Sequence, residues 1–109
     1  MPRITIRGLS VEQVCQISTS VVDQLAVICE CERDYFTLEC IQHTAIFDGQ
    51  IVPAYPFIEV AWFERGEEVR KQVAKALTNH VLGLGIPEVE VAFTTYAQDA
   101  YFNNGISFK

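Results

Sequence analysis

No apolar run in this chain is long enough to cross a bilayer, and no apolar stretch of the secretory type follows the N-terminus. A cytoplasmic protein with no membrane partner is expected. Positive charge is scarce. Eight Lys and Arg against fourteen Asp and Glu leave a net charge of -6. Nucleic acid is bound through basic faces that displace counterions, and the basic residues here are scattered, so no nucleic-acid partner is expected. There are two histidines, His43 and His80, and four cysteines, Cys15, Cys29, Cys31 and Cys40. The "CEC" at 29–31 is C-x-C, not the C-x-x-C of a redox motif or zinc knuckle, and its spacing to the histidines matches no standard metal site. Free thiols, no metal and no cofactor are expected. A phosphate-binding glycine loop is also missing. "GLGIP" at 83–87 closes a helix instead of following a strand and opening one.

What is present is one domain's worth of chain, 109 residues, half of them hydrophobic. "PRITIR" at 2–7 alternates, with Ile4 and Ile6 on one face and Arg3, Thr5 and Arg7 on the other, as in a half-buried strand. Ser10 followed by Gln13 is a capping box. From there Val14, Ile17, Val21, Leu25 and Ile28 form one apolar stripe on a helix of roughly five turns. "CECERD" breaks it, and a second strand follows with Phe36, Leu38 and Cys40 on one face. Asp48-Gly49 inside "AIFDGQIV" signals a short hairpin. "PFIEVAWF" is a third strand, with Ile58, Val60 and Trp62 on one face. A second helix starts near Gly66 with Glu67 and Glu68 in its first turn, where the dipole favours acids. Its stripe is Val69, Val73, Leu77 and Leu84, with Ala76 and Val81 alongside; Gly83 or Gly85 can take the left-handed cap before Pro87. A last strand alternates through Val89, Val91 and Phe93, ahead of the aromatic tail "AYFNNGISFK".

The two halves match. Pro2 and Pro56 each begin strand–helix–strand. Ile4 and Ile6 correspond to Ile58 and Val60, and Ile17, Val21, Leu25 and Ile28 to Val73, Leu77, Val81 and Leu84. Each half ends in a similar phrase, "TAIFDG" or "DAYFNNG". The single domain, 1–109, is therefore read as two βαβ repeats, about 2–49 and about 56–105. Right-handed crossovers make the strands parallel within each repeat. The expected fold class is α+β, one four-stranded mixed sheet with two helices on one face. The other face then carries Arg3, Thr5, Arg7, Thr37, Glu39, Glu59, Glu90 and Thr94. Antiparallel contact between the first strands of the repeats would bring Arg3 or Arg7 to Glu59 as a cross-strand ion pair, on a polar face expected to meet other subunits.

Pro2 after Met1, the two βαβ units and the aromatic ending together resemble the tautomerase superfamily, the one that contains macrophage migration inhibitory factor. "FDGQIVPAYPFIEVAWFERG" is similar to the middle of that factor, and "YFNNGISF" to its C-terminal ending. "FTLEC", "PFIEVAWFERG" and the final "NNG" are more similar still to a small bacterial family, without an assigned activity, placed in that superfamily.

The resemblance implies a homotrimer with pockets at subunit interfaces. It also implies that Pro2, once Met1 is removed, is a general base moving a proton between carbon and oxygen of an enol or keto acid. Burial disfavours the charged form of such an amine. Each unit of lowered pKa corresponds to about 1.4 kcal/mol, and a neutral amine near its operating pKa shuttles protons well. A small carboxylated substrate would be held by an arginine through a bidentate pair. Arg7, Arg33 and Arg65 are the candidates, Arg65 beside the outward N–H groups of a helix start. Tyr101, Phe102 and Phe108 line a pocket or pack across a subunit boundary.

The chain departs from the better-known members in two places. They carry a lysine just before the second strand, where this chain has Cys31 or Glu32 with Arg33 nearby, and Tyr and Asn on the last strand, where this chain reads "VEVAF". Pro2, Phe102 and Phe108 carry over by position. Two readings follow: a tautomerase-type isomerase that depends on Pro2, or a non-catalytic homotrimer that binds a small molecule or a protein. Pro56 holds the matching place without being an N-terminus, so a structural role for Pro2 at a strand start stands beside the catalytic one.

Overall fold

The computed structural model describes residues 2–109. β1 (Arg3–Arg7) leads into α1 (Val11–Cys29), which returns through a 3-10 turn (Arg33–Tyr35) to β2 (Thr37–Ile41). A hairpin of β3 (Ala45–Phe47) and β4 (Gln50–Val52) closes the first repeat. The second runs β5 (Phe57–Trp62), α2 (Glu67–Leu82), β6 (Glu90–Thr95), a 3-10 turn (Gln98–Ala100) and a hairpin of β7 (Phe102–Asn103) and β8 (Ile106–Ser107).

The main sheet has the order β2-β1-β5-β6. β1 runs parallel to β2, and β5 runs parallel to β6. β1 and β5 are antiparallel and join the repeats at the sheet's centre. This is the α+β arrangement that the duplicated pattern predicts. Its register pairs Ile4 with Val60, Thr5 with Glu59 and Ile6 with Ile58, so the repeats are related by a pseudo-two-fold axis through the Thr5–Glu59 pair.

Alternation in β1 and β5 sets the core. Ile4, Ile6, Ile58, Val60 and Trp62 are buried under the helices. α1 contributes Val14, Ile17, Val21, Leu25 and Cys29; α2 contributes Val73, Ala76, Leu77 and Val81. β2 and β6 lie at the sheet's edges, so Phe36, Leu38, Val91 and Phe93 are only partly buried against that core.

The Ser10 capping box forms as its residues predict. The Gln13 N–H donates to Ser10 Oγ at 3.1 Å, and the Ser10 N–H donates to Gln13 Oε1 at 2.9 Å. The helix ends differ from expectation in detail. Cys29 ends the buried stripe of α1, with Ile28 half-buried at its margin. Glu30, not a glycine, takes the left-handed cap at φ 53°, and the Cys31 N–H then reaches the Ala26 carbonyl at 3.1 Å. α2 stops at Leu82, which leaves Leu84 on the core but beyond the helix. Gly83 stays right-handed, and Gly85 holds the positive φ, 87°. Asp48 and Gly49 both have positive φ, as a two-residue hairpin turn requires.

Candidate functional site

Strand direction decides which candidate residues meet. β5 runs antiparallel to β1, so the C-terminal end of β5 lies at the N-terminal end of β1. Continuing the register one residue past the Arg3–Ala61 pair sets Pro2 beside Trp62. Pro2 is under 2% exposed, and its carbonyl accepts the Thr37 N–H at 3.1 Å. Removal of Met1, on which a free amine depends, lies outside the described residues.

Arg65 belongs to the same end. Its guanidinium carbon lies 5.6 Å from the centre of the buried Trp62 ring, a cation–π contact. Its Nη1 donates to the Cys29 carbonyl at 3.5 Å, which ties the β5–α2 loop to the end of α1. Arg65 Nε and Trp62 Nε1 are both buried and have no hydrogen-bond partner among the described residues. Buried donors are nearly always paired, so these two N–H groups set this end of the fold apart. Sequence reasoning placed Trp62 in the core and missed its indole N–H, because parity shows which face a residue takes and not whether its polar atom is satisfied.

Two expected features of this end are committed elsewhere. The Arg65 and Gly66 N–H groups donate to Glu64 Oε1 at 3.1 and 2.9 Å, and Arg70 Nη1 holds the same carboxylate at 2.9 Å. The two amides just ahead of α2, those of Arg65 and Gly66, are thus taken by Glu64. Arg33, in the turn before β2, pairs with Asp23 of α1 at 2.7 Å. Arg7 is at the far end of β1, paired with Phe57 and Ile41 in register and 3.5 Å from Glu59 Oε1. Arg3, by contrast, pairs with Glu39 of β2, at 3.1 Å.

The aromatic tail returns to the Pro2 end. Phe63, which follows Trp62, stacks with Tyr101 at 5.1 Å and Phe108 at 5.7 Å, and Tyr101 meets Phe108 at 4.9 Å. The Phe108 N–H donates to the Tyr101 carbonyl. Phe102 lies outside this cluster and is exposed.

The thiols divide by burial. Cys15 is exposed and Cys29 is buried. Burial pushes the Cys29 thiol above its ordinary value; the Arg65 charge opposes this, and Cys31 adds to it. Among the described residues, no three His, Cys, Asp or Glu side chains gather as metal ligands, and no helix is long and apolar enough to cross a membrane.

Comparison with known proteins places this architecture. The sequence matches the family described as "Domain of unknown function (DUF1904)" over residues 1–107. A crystal structure of a domain of that family from Sebaldella termitidis is 33% identical, with a TM-score of 0.92 over 99% of this chain and 100% of that one. A macrophage migration inhibitory factor-like protein from Entamoeba histolytica is 15% identical, with a TM-score of 0.75 over 98% of each chain. Pt0534, crystallised after inactivation by 2-oxo-3-pentynoate, is 22% identical, with a TM-score of 0.77 over 98% of this chain and 94% of that one. No curated protein matches. The chain belongs to the DUF1904 family, built on the fold of the tautomerase superfamily.

Proposed function

We propose that the Pro2 end is a binding site for a small carboxylated keto or enol acid, and that the chain is a tautomerase-type isomerase once its Pro2 amine is free. The observation that carries the reading is the pair of buried, unpartnered donors, Arg65 Nε and Trp62 Nε1, beside a buried proline. A carboxylate is the acceptor best matched to a guanidinium edge. The neutral Pro2 nitrogen would take a proton from the substrate carbon, and its conjugate acid would return it to the other end of the enol. Inactivation of the similar Pt0534 by a small 2-oxo acid supports the substrate class. A homotrimer is part of the reading. The sheet face opposite the helices carries ion pairs of both signs, Arg3–Glu39 and Arg7–Glu59, and the Phe63–Tyr101–Phe108 cluster lies at the margin of the same end. The proposed location is the cytoplasm.

The test is ketonisation of phenylenolpyruvate by protein whose first residue is Pro2. Turnover is expected, with loss in Pro2→Ala and a raised KM in Arg65→Gln. If trimmed wild type turns over no faster than Pro2→Ala, the catalytic reading fails for this substrate class. One observation favours the second reading, a non-catalytic homotrimeric binding module. The stretch before β2 has no lysine, and its only arginine, Arg33, is held by Asp23. That reading expects ligand binding that is unchanged by an N-terminal extension.

A further inference from the structure

The end of α1 carries two thiols, Cys29 and Cys31, on either side of Glu30. Both are free, Cys29 buried and Cys31 half-buried. Glu30 is left-handed, with φ 53° and ψ 49°. Its N–H reaches the Val27 carbonyl at 3.3 Å, and the Cys31 N–H reaches the Ala26 carbonyl at 3.1 Å. These are the two bonds of a Schellman turn, which brings the residue after the left-handed one against the last turn of the helix. Leu25 lies one turn before Cys29 on the same helix face, and Cys31 packs against the core that holds both. Residues i and i+2 of a helix have Cα atoms about 5.4 Å apart, and a left-handed residue between them is the mirror image and keeps that span. Disulfides bridge Cα atoms roughly 4.4–6.8 Å apart. The electrostatics agree. Burial raises the Cys29 thiol, the Arg65 charge opposes the rise, and Cys31 is close enough to add to it. The other two thiols stand apart. Cys15 is exposed on α1, and Cys40 of β2 donates to the Leu9 carbonyl at 3.6 Å.

We propose that Cys29 and Cys31 are a modification site, a pair that a small disulfide such as oxidised glutathione converts reversibly to an internal bridge, and that this bridge is felt at Arg65. Cys31 is the more exposed of the two. Its thiolate attacks one sulfur of the reagent; that S–S bond breaks, one thiolate leaves, and a mixed disulfide stands on Cys31. The Cys29 thiolate, which needs no access to solvent for this step, then displaces the second thiol from the Cys31 sulfur. Two cysteines are oxidised, the reagent is reduced to two thiols, and the cysteine protons pass to them. Arg65 Nη1 donates to the Cys29 carbonyl at 3.5 Å, and the guanidinium lies 5.6 Å from the centre of the Trp62 ring. The bridge therefore acts on the residue that anchors Arg65 over the indole.

The test equilibrates the folded, full-length protein with oxidised glutathione, alkylates the remaining thiols and maps the products by mass spectrometry. Cys15→Ser removes the exposed competing thiol. In that protein the segment holding Cys29 and Cys31 is expected to lose two hydrogens and escape alkylation, Cys40 to stay alkylatable, and dithiothreitol to reverse the change. Emission from Trp62, the one tryptophan of the chain, should shift as the bridge forms and return as it opens. Cys29→Ala removes the resolving thiol, so the glutathione adduct should persist on Cys31. Cys31→Ser should leave Cys29 a thiol and the emission unmoved. Pro2→Ala should oxidise as the parent does, so this site stands or falls apart from the Pro2 reading. Any of four results in the Cys15→Ser protein overturns the proposal: both thiols still alkylated, a glutathione adduct left on Cys31, a bridge to Cys40 or to a second chain, or a Cys29–Cys31 bridge without a shift in Trp62 emission. Should Cys29→Ala fail to fold, the map in the Cys15→Ser protein and Cys31→Ser still decide the matter.

Discussion

Pro2 and Pro56 hold the same place in the two repeats. The Pro2 carbonyl accepts the Thr37 N–H at 3.1 Å, and the Pro56 carbonyl accepts the Glu90 N–H at 3.2 Å. Both prolines are buried at the start of a strand. Each therefore fastens the first residue of its repeat to the start of the parallel strand that closes it. This hydrogen bond needs only the backbone carbonyl, so Pro2→Ala should leave the fold standing, and a loss of turnover in that variant would report the nitrogen.

Gly8 joins β1 to α1 where the backbone passes against Tyr55 and Pro56. Its φ is 89°, and a Cβ there would lie 2.6 Å from the Tyr55 carbonyl carbon and 2.8 Å from Pro56 Cα. Both neighbours are backbone and cannot step aside. Gly8→Ala is expected to cost about 2 kcal/mol or more, read as a lower urea midpoint at fixed protein concentration. The same substitution at Gly66 meets no atom within 4 Å and should cost less, through its positive φ alone.

Buried contacts should outweigh close surface ion pairs by a wide margin. Leu25 is 1% exposed, and Leu25→Ala is expected to cost about 2–5 kcal/mol. The Arg33–Asp23 pair is short, 2.7 Å, but its side chains are 57% and 60% exposed. Arg33→Ala is expected to cost less than about 1 kcal/mol. Equal shifts in urea midpoint for the two variants would contradict this ordering.

Stability should fall on the alkaline side. Burial raises the Cys29 thiol pKa in the folded chain, so the folded state keeps its proton where the unfolded state has lost it. Below the unfolded thiol's pKa, about 8.5, both states are protonated and the contribution is constant. Above it the unfolded state gains by ionising, and stability declines until the folded thiol also titrates. Cys29→Ala should flatten that decline in denaturation series from pH 7 to pH 10. Tyr55, raised by its hydrogen bond to Glu90, acts with the same sign at higher pH. Cys15, being exposed, should be alkylated well before Cys29.

Much of the fold is legible in short-range pattern. Ile4 and Ile6 against Arg3 and Arg7 declare the faces of β1, because only one face of that strand is covered by helices. Ser10 and Gln13 declare the start of α1, because both halves of the cap lie within four residues. Asp48-Gly49 declares its hairpin through the φ values it permits. The details that differ depend on less local physics. A left-handed Glu30 carries no compositional signal, since glycine is the usual cap. Gly66, at the N-cap of α2, has no side chain to cap the helix, and its own N–H is taken by Glu64 two residues ahead.

The candidate site was harder to read for a related reason. Arg7, Arg33 and Arg65 look alike as sequence. Only the antiparallel β1–β5 pairing puts Arg65 with Pro2 and sends Arg7 to the other end. Arg33 finds its partner, Asp23, ten residues away across the end of α1. The unpartnered donors of Trp62 and Arg65 appear only once packing has withdrawn water from them.

The pseudo-two-fold axis through Thr5 and Glu59 has a consequence for chain order. The register places Pro2 beside Trp62, and Phe108 packs on the adjacent Phe63, so both termini emerge at one end of the sheet. A circular permutant closed from Lys109 to Pro2 and opened before Pro56 would keep every strand pairing of the main sheet. In that molecule the two prolines exchange circumstances: Pro56 gains a free amine and Pro2 becomes an internal amide. Which half of the duplication came first would then be separated, in one protein, from which half carries the arginine and the indole.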